Sequence, residues 1–345
     1  MAITAAYYTG NKSFSIETIE PPSVGPDEVE IDVAYCGICG TDLHVYLGHM
    51  DARIGDHRVI GHEMSGVVSA VGSNVNSVAV GEHVVVRPLD ACGECAACQR
   101  GHKHICQNLK FLGLDTDGAF QQKWTVPAHT LHKLPASLPL QHAAMIEPVA
   151  VACHDVRRGK VAKGEDVLVI GGGPIGMLVA MVAMAAGGKV TVSEINPHRL
   201  AIAQKLGMQT LNPTEVDAVA SLTEATEGKG MDVIFEVSGT QPGVDLMTAV
   251  AATRARIVMV AIHASKPEID LFQFFWREIE LFGARVYEPE DYDDAIKLVS
   301  EGSIDAAELI TSVQELTDIQ GAFAELAGDP KSMKTLIRCN AEASA

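Results

Sequence analysis

The stretch Val167-Leu168-Val169-Ile170-Gly171-Gly172-Gly173-Pro174-Ile175-Gly176 reads as a short buried strand, a tight turn and the opening of a helix. Within it, Gly171-x-Gly173-x-x-Gly176 has the spacing that holds a dinucleotide pyrophosphate. The first glycine permits the turn, the second lets backbone N–H groups approach the phosphates, and the third lets the helix pack close to the strand. Pro174 and Ile175 start that helix, and its N-terminus favours an anion. The next strand, Lys189-Val190-Thr191-Val192-Ser193-Glu194, ends in an acid roughly twenty residues after the glycines, where it can accept a hydrogen bond from a ribose hydroxyl. Glu194 therefore points to NAD, while Arg199 on the following helix keeps NADP as the lesser alternative. Outward from this unit the alternation continues, with a helix over 197–206 stopped by Gly207, a strand over 232–237, a helix after Pro242 and a strand over 256–260. Nearly unbroken apolar strands suit a parallel sheet buried on both faces, so this half is expected to be a doubly wound α/β domain.

Residues 167–188 carry no charge and are long enough to raise a transmembrane alternative. Gly171-Gly172-Gly173-Pro174 would break a spanning helix near its first turn, which favours strand, turn and buried helix. The whole chain, 345 residues with 47% hydrophobic and 20% charged, has the composition of a globular protein of two domains. Its 26 Lys+Arg against 44 Asp+Glu give a formal net charge of -18, the wrong sign for phosphate backbones or an anionic membrane face. No nucleic-acid or membrane partner is expected. The N-terminus lacks a basic stretch leading into an apolar core, so no secretory signal is visible and a cytoplasmic location is expected.

Four of the eight cysteines fall in Cys92-x2-Cys95-x2-Cys98-x7-Cys106, a spacing that lets one loop fold four sulfurs around a tetrahedral ion. Four thiolates make a closed site, whose role is to staple a lobe with little regular structure; an iron–sulfur cluster is the other reading. Before this lobe lies a mixed set, Cys36-Gly37-Ile38-Cys39-Gly40-Thr41-Asp42-Leu43-His44 and then Gly61-His62-Glu63. Cys39, His62 and a carboxylate would supply an open three-ligand zinc, although Cys36 and Cys39 also read as a redox pair. Glu147, in an apolar helix-like stretch over 143–153, is a buried acid that needs a partner, and a metal would be one. The first 150 residues otherwise show short alternating strands separated by Gly and Pro, as in a small β-rich barrel.

On Cys39-Gly40-Thr41-Asp42, Gly61-His62-Glu63, the four-cysteine lobe, Glu147-Pro148, the 171–176 turn and Leu309-Ile310-Thr311-Ser312, the chain resembles the zinc-containing medium-chain alcohol dehydrogenases. It is most similar to the polyol (sorbitol), butanediol and threonine dehydrogenase branch, over essentially its whole length. The resemblance implies a GroES-like catalytic domain from residues 1–150 plus 286–345, including a zinc lobe over 88–108, with a Rossmann domain over 151–285. It implies two zinc ions per chain. Cys39, His62 and Glu63 would hold the catalytic one, with Glu147 binding directly or through water, and Cys92, Cys95, Cys98 and Cys106 the structural one. Thr41 and His44 match a proton-relay hydroxyl and imidazole. The implied reaction is oxidation of a secondary alcohol by hydride transfer to NAD, by a homotetramer or homodimer. Leu89 is apolar where threonine dehydrogenases carry a histidine, so a polyol, sugar or diol is the expected small-molecule substrate over an amino alcohol. A zinc-free quinone reductase of the same superfamily would lack Cys39, His62 and the cysteine lobe.

Overall fold

The computed structural model describes residues 2–328 and 331–344. The chain forms two compact units, one running from the N-terminal portion through Glu147 and resuming at Glu288, the other comprising Pro148–Tyr287.

The first unit is built on a seven-stranded sheet in which Leu131–Lys133, His83–Val86, Glu63–Val71, Glu28–Gly37, Lys334–Arg338 and Ile310–Glu315 lie side by side, while Lys123–Pro127 also pairs with Glu28–Gly37. Strand Glu28–Gly37 shows why the fold closes here. Val29, Ile31 and Val33 are buried while Glu30 and Asp32 alternate outward, and from Val33 to Gly37 every residue is buried. Its far end meets two partners in register, Gly37 opposite Glu63 on one side and opposite Leu336 on the other. A strand from the C-terminal portion thus lies beside the first cysteine motif.

The second unit carries six parallel strands in the order Gln209–Leu211, Lys189–Ser193, Asp166–Ile170, Met231–Glu236, Ala251–Met259, Glu280–Gly283. The order reverses at Asp166–Ile170, and the crevice beyond the strand ends at such a reversal is where parallel α/β sheets bind dinucleotides. Leu168, Ile170, Ile234, Ile257, Val244 and Met247 are buried in one core cluster. Each contributes on the order of 1.5–3 kcal/mol by leaving water. Helix Pro174–Ala185 has Gly173 at its N-cap and Pro174 in its first turn. Helix Pro197–Lys205 is capped by Asn196, whose side chain accepts the His198 and Arg199 N–H groups.

The elements differ from the sequence reading in a few places. The strand expected at 256–260 begins five residues earlier, at Ala251, because an irregular pairing at Met231/Val233 admits the alanines before Arg254, which itself has φ +59°. The stretch expected as one helix over 143–153 is interrupted by a turn, giving Leu140–Ala143 and Ile146–Gly159. Edge strand Gln209–Leu211 and helix Ala218–Ala225, capped by Asp217, carried too short or too weak a pattern to be read beforehand.

Candidate active site

Cys39 sits at the N-cap of helix Gly40–Tyr46, immediately after the buried end of strand Glu28–Gly37. Asp42 reaches back from the first turn, where its carboxylate accepts the Cys39 backbone N–H at 2.9 Å. Gly61, at φ +97°, makes the tight approach before His62 and Glu63, and a Cβ there would lie 2.8 Å from the Phe120 ring. The result brings Cys39 Sγ, a His62 ring nitrogen and a Glu63 oxygen all within 4.8 Å of one another. The Nδ1 of His62 lies 3.5 Å from Asp42 Oδ1, and Phe111 packs edge-on to the ring at 5.1 Å. Asp42 thus stands on the Nδ1 side of the imidazole, where a carboxylate can orient the ring.

Lys334, from strand Lys334–Arg338, is the residue that sequence reasoning missed. Its ammonium donates to both Glu63 oxygens at 2.9 and 2.6 Å and to the Ile38 carbonyl at 3.2 Å, with all three groups out of solvent. The available signal was a lysine opening the strand Lys334-Thr335-Leu336-Ile337, since a buried lysine requires an acid. Burial and then Glu63 push the Cys39 thiol up. Burial alone would lower His62, yet Asp42 and Cys39 outweigh it and hold the imidazole well above its ordinary range. The buried Asp42 and Glu63 carboxylates and the half-buried Cys39 thiol thus stand together with the His62 imidazole and the Lys334 ammonium. One sulfur, one imidazole and one carboxylate, with a position left over, is a donor set that suits a catalytic zinc.

Glu147 lies in the first turn of helix Ile146–Gly159, 6% exposed, and its charge reaches Lys334, but it is not among the three residues whose donor atoms cluster within 4.8 Å. Thr41 and His44 share helix Gly40–Tyr46; Thr41 is half-buried and His44 exposed, its Nδ1 3.1 Å from Nδ1 of His49. His49 was not singled out from the sequence.

The four lobe cysteines also converge within 4.8 Å. A tetrahedral ion with Zn–S near 2.3 Å requires sulfurs about 3.8 Å apart; Cys95 and Cys92 lie 3.8 and 3.4 Å from Cys106 Sγ. Backbone N–H groups of Gln107 and Asn108 donate to Cys95 and Cys106 sulfurs at 3.4 and 3.3 Å, which suits thiolates. N–H groups of Cys98 and Gln107 pull the Cys95 thiol down to about 6.

In the second unit a cavity of about 610 Å³ opens beyond the strand ends, lined among others by Gly171, Gly173, Glu194, Arg199, Ser238 and Thr240. A Cβ on Gly176 would lie 1.9 Å from the Gly171 carbonyl oxygen, so only glycine allows this helix–strand approach. Glu194 accepts the Gly172, Ile195 and Asn196 N–H groups at 2.7, 2.7 and 2.9 Å, and Arg199 Nη1 stands 3.7 Å from its Oε2. Pro174 and Ile175 lie in the first turn of the helix behind this loop.

Two families match the chain: the alcohol dehydrogenase GroES-like domain over residues 25–136 and the zinc-binding dehydrogenase over residues 174–301. Over 340 residues, 98% of this chain and 99% of the relative, it is 54% identical to 2-dehydro-3-deoxy-L-galactonate 5-dehydrogenase of Pseudoalteromonas atlantica. This chain belongs to the zinc-containing medium-chain alcohol dehydrogenase family. It is a zinc-dependent oxidoreductase that oxidises an alcohol with NAD as family cofactor, and the lobe cysteines have the make-up of a structural zinc site. The dehydrogenase is also 34% identical over 321 residues to (R,R)-butanediol dehydrogenase of Neisseria gonorrhoeae, covering 89% of this chain and 90% of that one. Among solved structures it is similar to 2R,3R-butanediol dehydrogenase of Bacillus subtilis, with a TM-score of 0.90 at 33% identity over 98% and 100% of the two chains.

Proposed function

We propose that this dehydrogenase oxidises a secondary hydroxyl of a sugar acid to a ketone, with Cys39, His62 and Glu63 holding the catalytic zinc. The observation that carries the reading is the three-donor cluster, balanced by Lys334 and oriented by Asp42. The substrate class follows the name of the 54% identical relative. Cys39, His62 and Glu63 would hold a zinc that would lower the pKa of the substrate hydroxyl, and the glycine turn would hold the dinucleotide that supplies the hydride acceptor. Thr41 takes the hydroxyl proton and passes it to His44, whose exposed ring delivers it to solvent. Glu147 supplies a further carboxylate toward the metal, directly or through water. Gly171, Gly173 and Gly176 shape the pyrophosphate loop at the start of helix Pro174–Ala185, and Glu194 accepts from the ribose hydroxyls.

The GroES-like catalytic domain is assigned as residues 1–150 plus 286–345 and the Rossmann NAD-binding domain as residues 151–285, and the assembly as a homotetramer or homodimer. Glu280–Gly283 is an open sheet edge with Leu281 46% exposed, and the preceding helix Leu271–Arg277 exposes Phe272, Phe275 and Trp276, a surface that a second copy would cover. A cytoplasmic placement is part of this reading; none of the eight cysteines is in a disulfide, and no described helix is long and apolar enough to cross a membrane. NADH formation, followed by absorbance with 2-dehydro-3-deoxy-L-galactonate, xylitol, 2,3-butanediol and L-threonine, tests the substrate. The acid is expected to give the highest kcat/KM, and a higher value with any of the others would displace it. Cys39→Ala and His62→Ala are expected to remain folded but inactive; near-normal activity in either would overturn the zinc assignment.

A further inference from the structure

The first unit contains a cavity of about 320 Å³ whose charge runs against that of the molecule. Arg87, Lys103, His104, His129 and Glu288 provide its polar lining, and Leu89 one of its apolar walls, in a chain whose formal net charge is -18. Arg87 uses its guanidinium poorly. It donates to the Leu89 and His129 carbonyls at 3.5 and 3.3 Å, both near the limit of a hydrogen bond, and its buried Nε has no partner. Among the described residues, neither Arg87 nor Lys103 has a carboxylate within ion-pair distance. The one acid in the lining is already engaged: Glu288 lies 3.5 Å from His104 Nδ1 and caps helix Pro289–Ser300 with its side chain. His129 faces Asp90 at 3.3 Å. What is left over is cationic. A planar fork with unmet donors in a recess favours a carboxylate or phosphate, which it can hold bidentately.

The cavity also borders the catalytic cluster through its wall. Leu89 pairs directly with Phe111 across the two-stranded Leu89–Asp90 and Lys110–Phe111 ribbon, and Phe111 is the ring packed edge-on to His62. We propose that this cavity binds a small organic anion, with Arg87 as its bidentate anchor and Lys103 as the second cation. The anionic group belongs either to the substrate or to a separate small effector, and both present the same chemistry to Arg87. Assigning it to the substrate rests on the sugar-acid reading above; the existence of the site does not.

Calorimetric titration of the zinc-loaded enzyme with gluconate, glucitol and inorganic phosphate tests the site. Gluconate and glucitol share a chain of hydroxyls and differ at one end, carboxylate against hydroxymethyl. Gluconate is expected to bind at least tenfold tighter than glucitol, and Arg87→Gln to abolish that difference. Lys103→Gln, at an exposed position, is expected to weaken gluconate severalfold and carries the test should Arg87→Gln fold poorly. Equal binding of the two compounds, or gluconate affinity unchanged in both variants, would overturn the proposal. Kinetics separate the two sources of the anion. A substrate carboxylate in the cavity makes Arg87→Gln raise KM for 2-dehydro-3-deoxy-L-galactonate at least tenfold while sparing uncharged 2,3-butanediol. A separate effector instead makes phosphate or gluconate change the wild-type rate with 2,3-butanediol, an effect absent from Arg87→Gln. Tight, Arg87-dependent gluconate binding in an enzyme that turns over no sugar acid would sink the substrate reading and leave the site standing.

Discussion

Lys334 and Glu63 form a buried ion pair beside Cys39, and removing one partner of such a pair leaves the other charge stranded. Without a bound metal to compensate Glu63, Lys334→Met is therefore expected to destabilise the metal-free protein by about 3 kcal/mol, read as a lower denaturant midpoint. Adding Glu63→Gln should recover much of the loss, because the stranded carboxylate is gone; a single variant as stable as the parent would show that Glu63 does not depend on Lys334. At the other cofactor, Glu194 and Arg199 oppose each other within 3.7 Å. A like-charge contact at about 4 Å and an effective dielectric near 20 costs on the order of 4 kcal/mol. The Arg199 charge and three backbone N–H groups already offset part of Glu194. NAD is accordingly expected to exceed NADP at least tenfold in kcat/KM. Glu194→Ser should narrow the gap by releasing Arg199 to a 2′-phosphate, and equal use of both dinucleotides by the parent enzyme would refute this role.

The cysteine lobe and the glycine turn behave as separable elements. Between Leu89–Asp90 and Lys110–Phe111 the lobe has only the four-residue helix Ala96–Gln99 and the 3-10 turn Lys103–Ile105, so a metal bound there contributes folding energy outright. Cys95→Ser should lower the melting temperature and leave one zinc per chain by elemental analysis, whereas the parent should carry two. A Cys95→Ser protein with undiminished stability and two zincs would remove the structural role. In the glycine turn, Gly176→Ala would force a methyl against the Gly171 carbonyl, where 1.9 Å separates the added carbon from the oxygen. Relief requires the helix to move, at a cost of about 1–3 kcal/mol, and the expected readout is an NAD KM raised at least tenfold. The parallel sheet around this turn was legible because its strands are short, apolar and bounded by glycine or proline. Helix Ala218–Ala225 was not, since its apolar face is short and the preceding stretch is polar.

At the scale of the molecule, helix Leu271–Arg277 exposes Phe272, Phe275 and Trp276 beside the sheet edge at Glu280–Gly283, the surface proposed above to be covered by a second copy. Light scattering at micromolar concentration should report a dimer or tetramer, and Trp276→Glu should shift it toward monomer; a monomeric parent enzyme would exclude this assembly. By itself, the sequence determined what depends on spacing within a few residues: the sulfurs of Cys92, Cys95, Cys98 and Cys106, and the glycines of the turn from Gly171 to Gly176. Such donors are brought together by short loops, whose closure entropy is small and whose geometry is set locally. Cys39 and the His62-Glu63 pair were also named beforehand, but only the antiparallel pairing of Gly37 with Glu63 turned two motifs into one cluster. Tertiary structure alone decided that Lys334, 271 residues from Glu63, would be its counter-charge, and that Arg87 would face a recess without a carboxylate of its own to pair with. A charge pair across a sheet is fixed by strand order and register, and nothing in the local pattern around either residue encodes which distant strand will lie beside it.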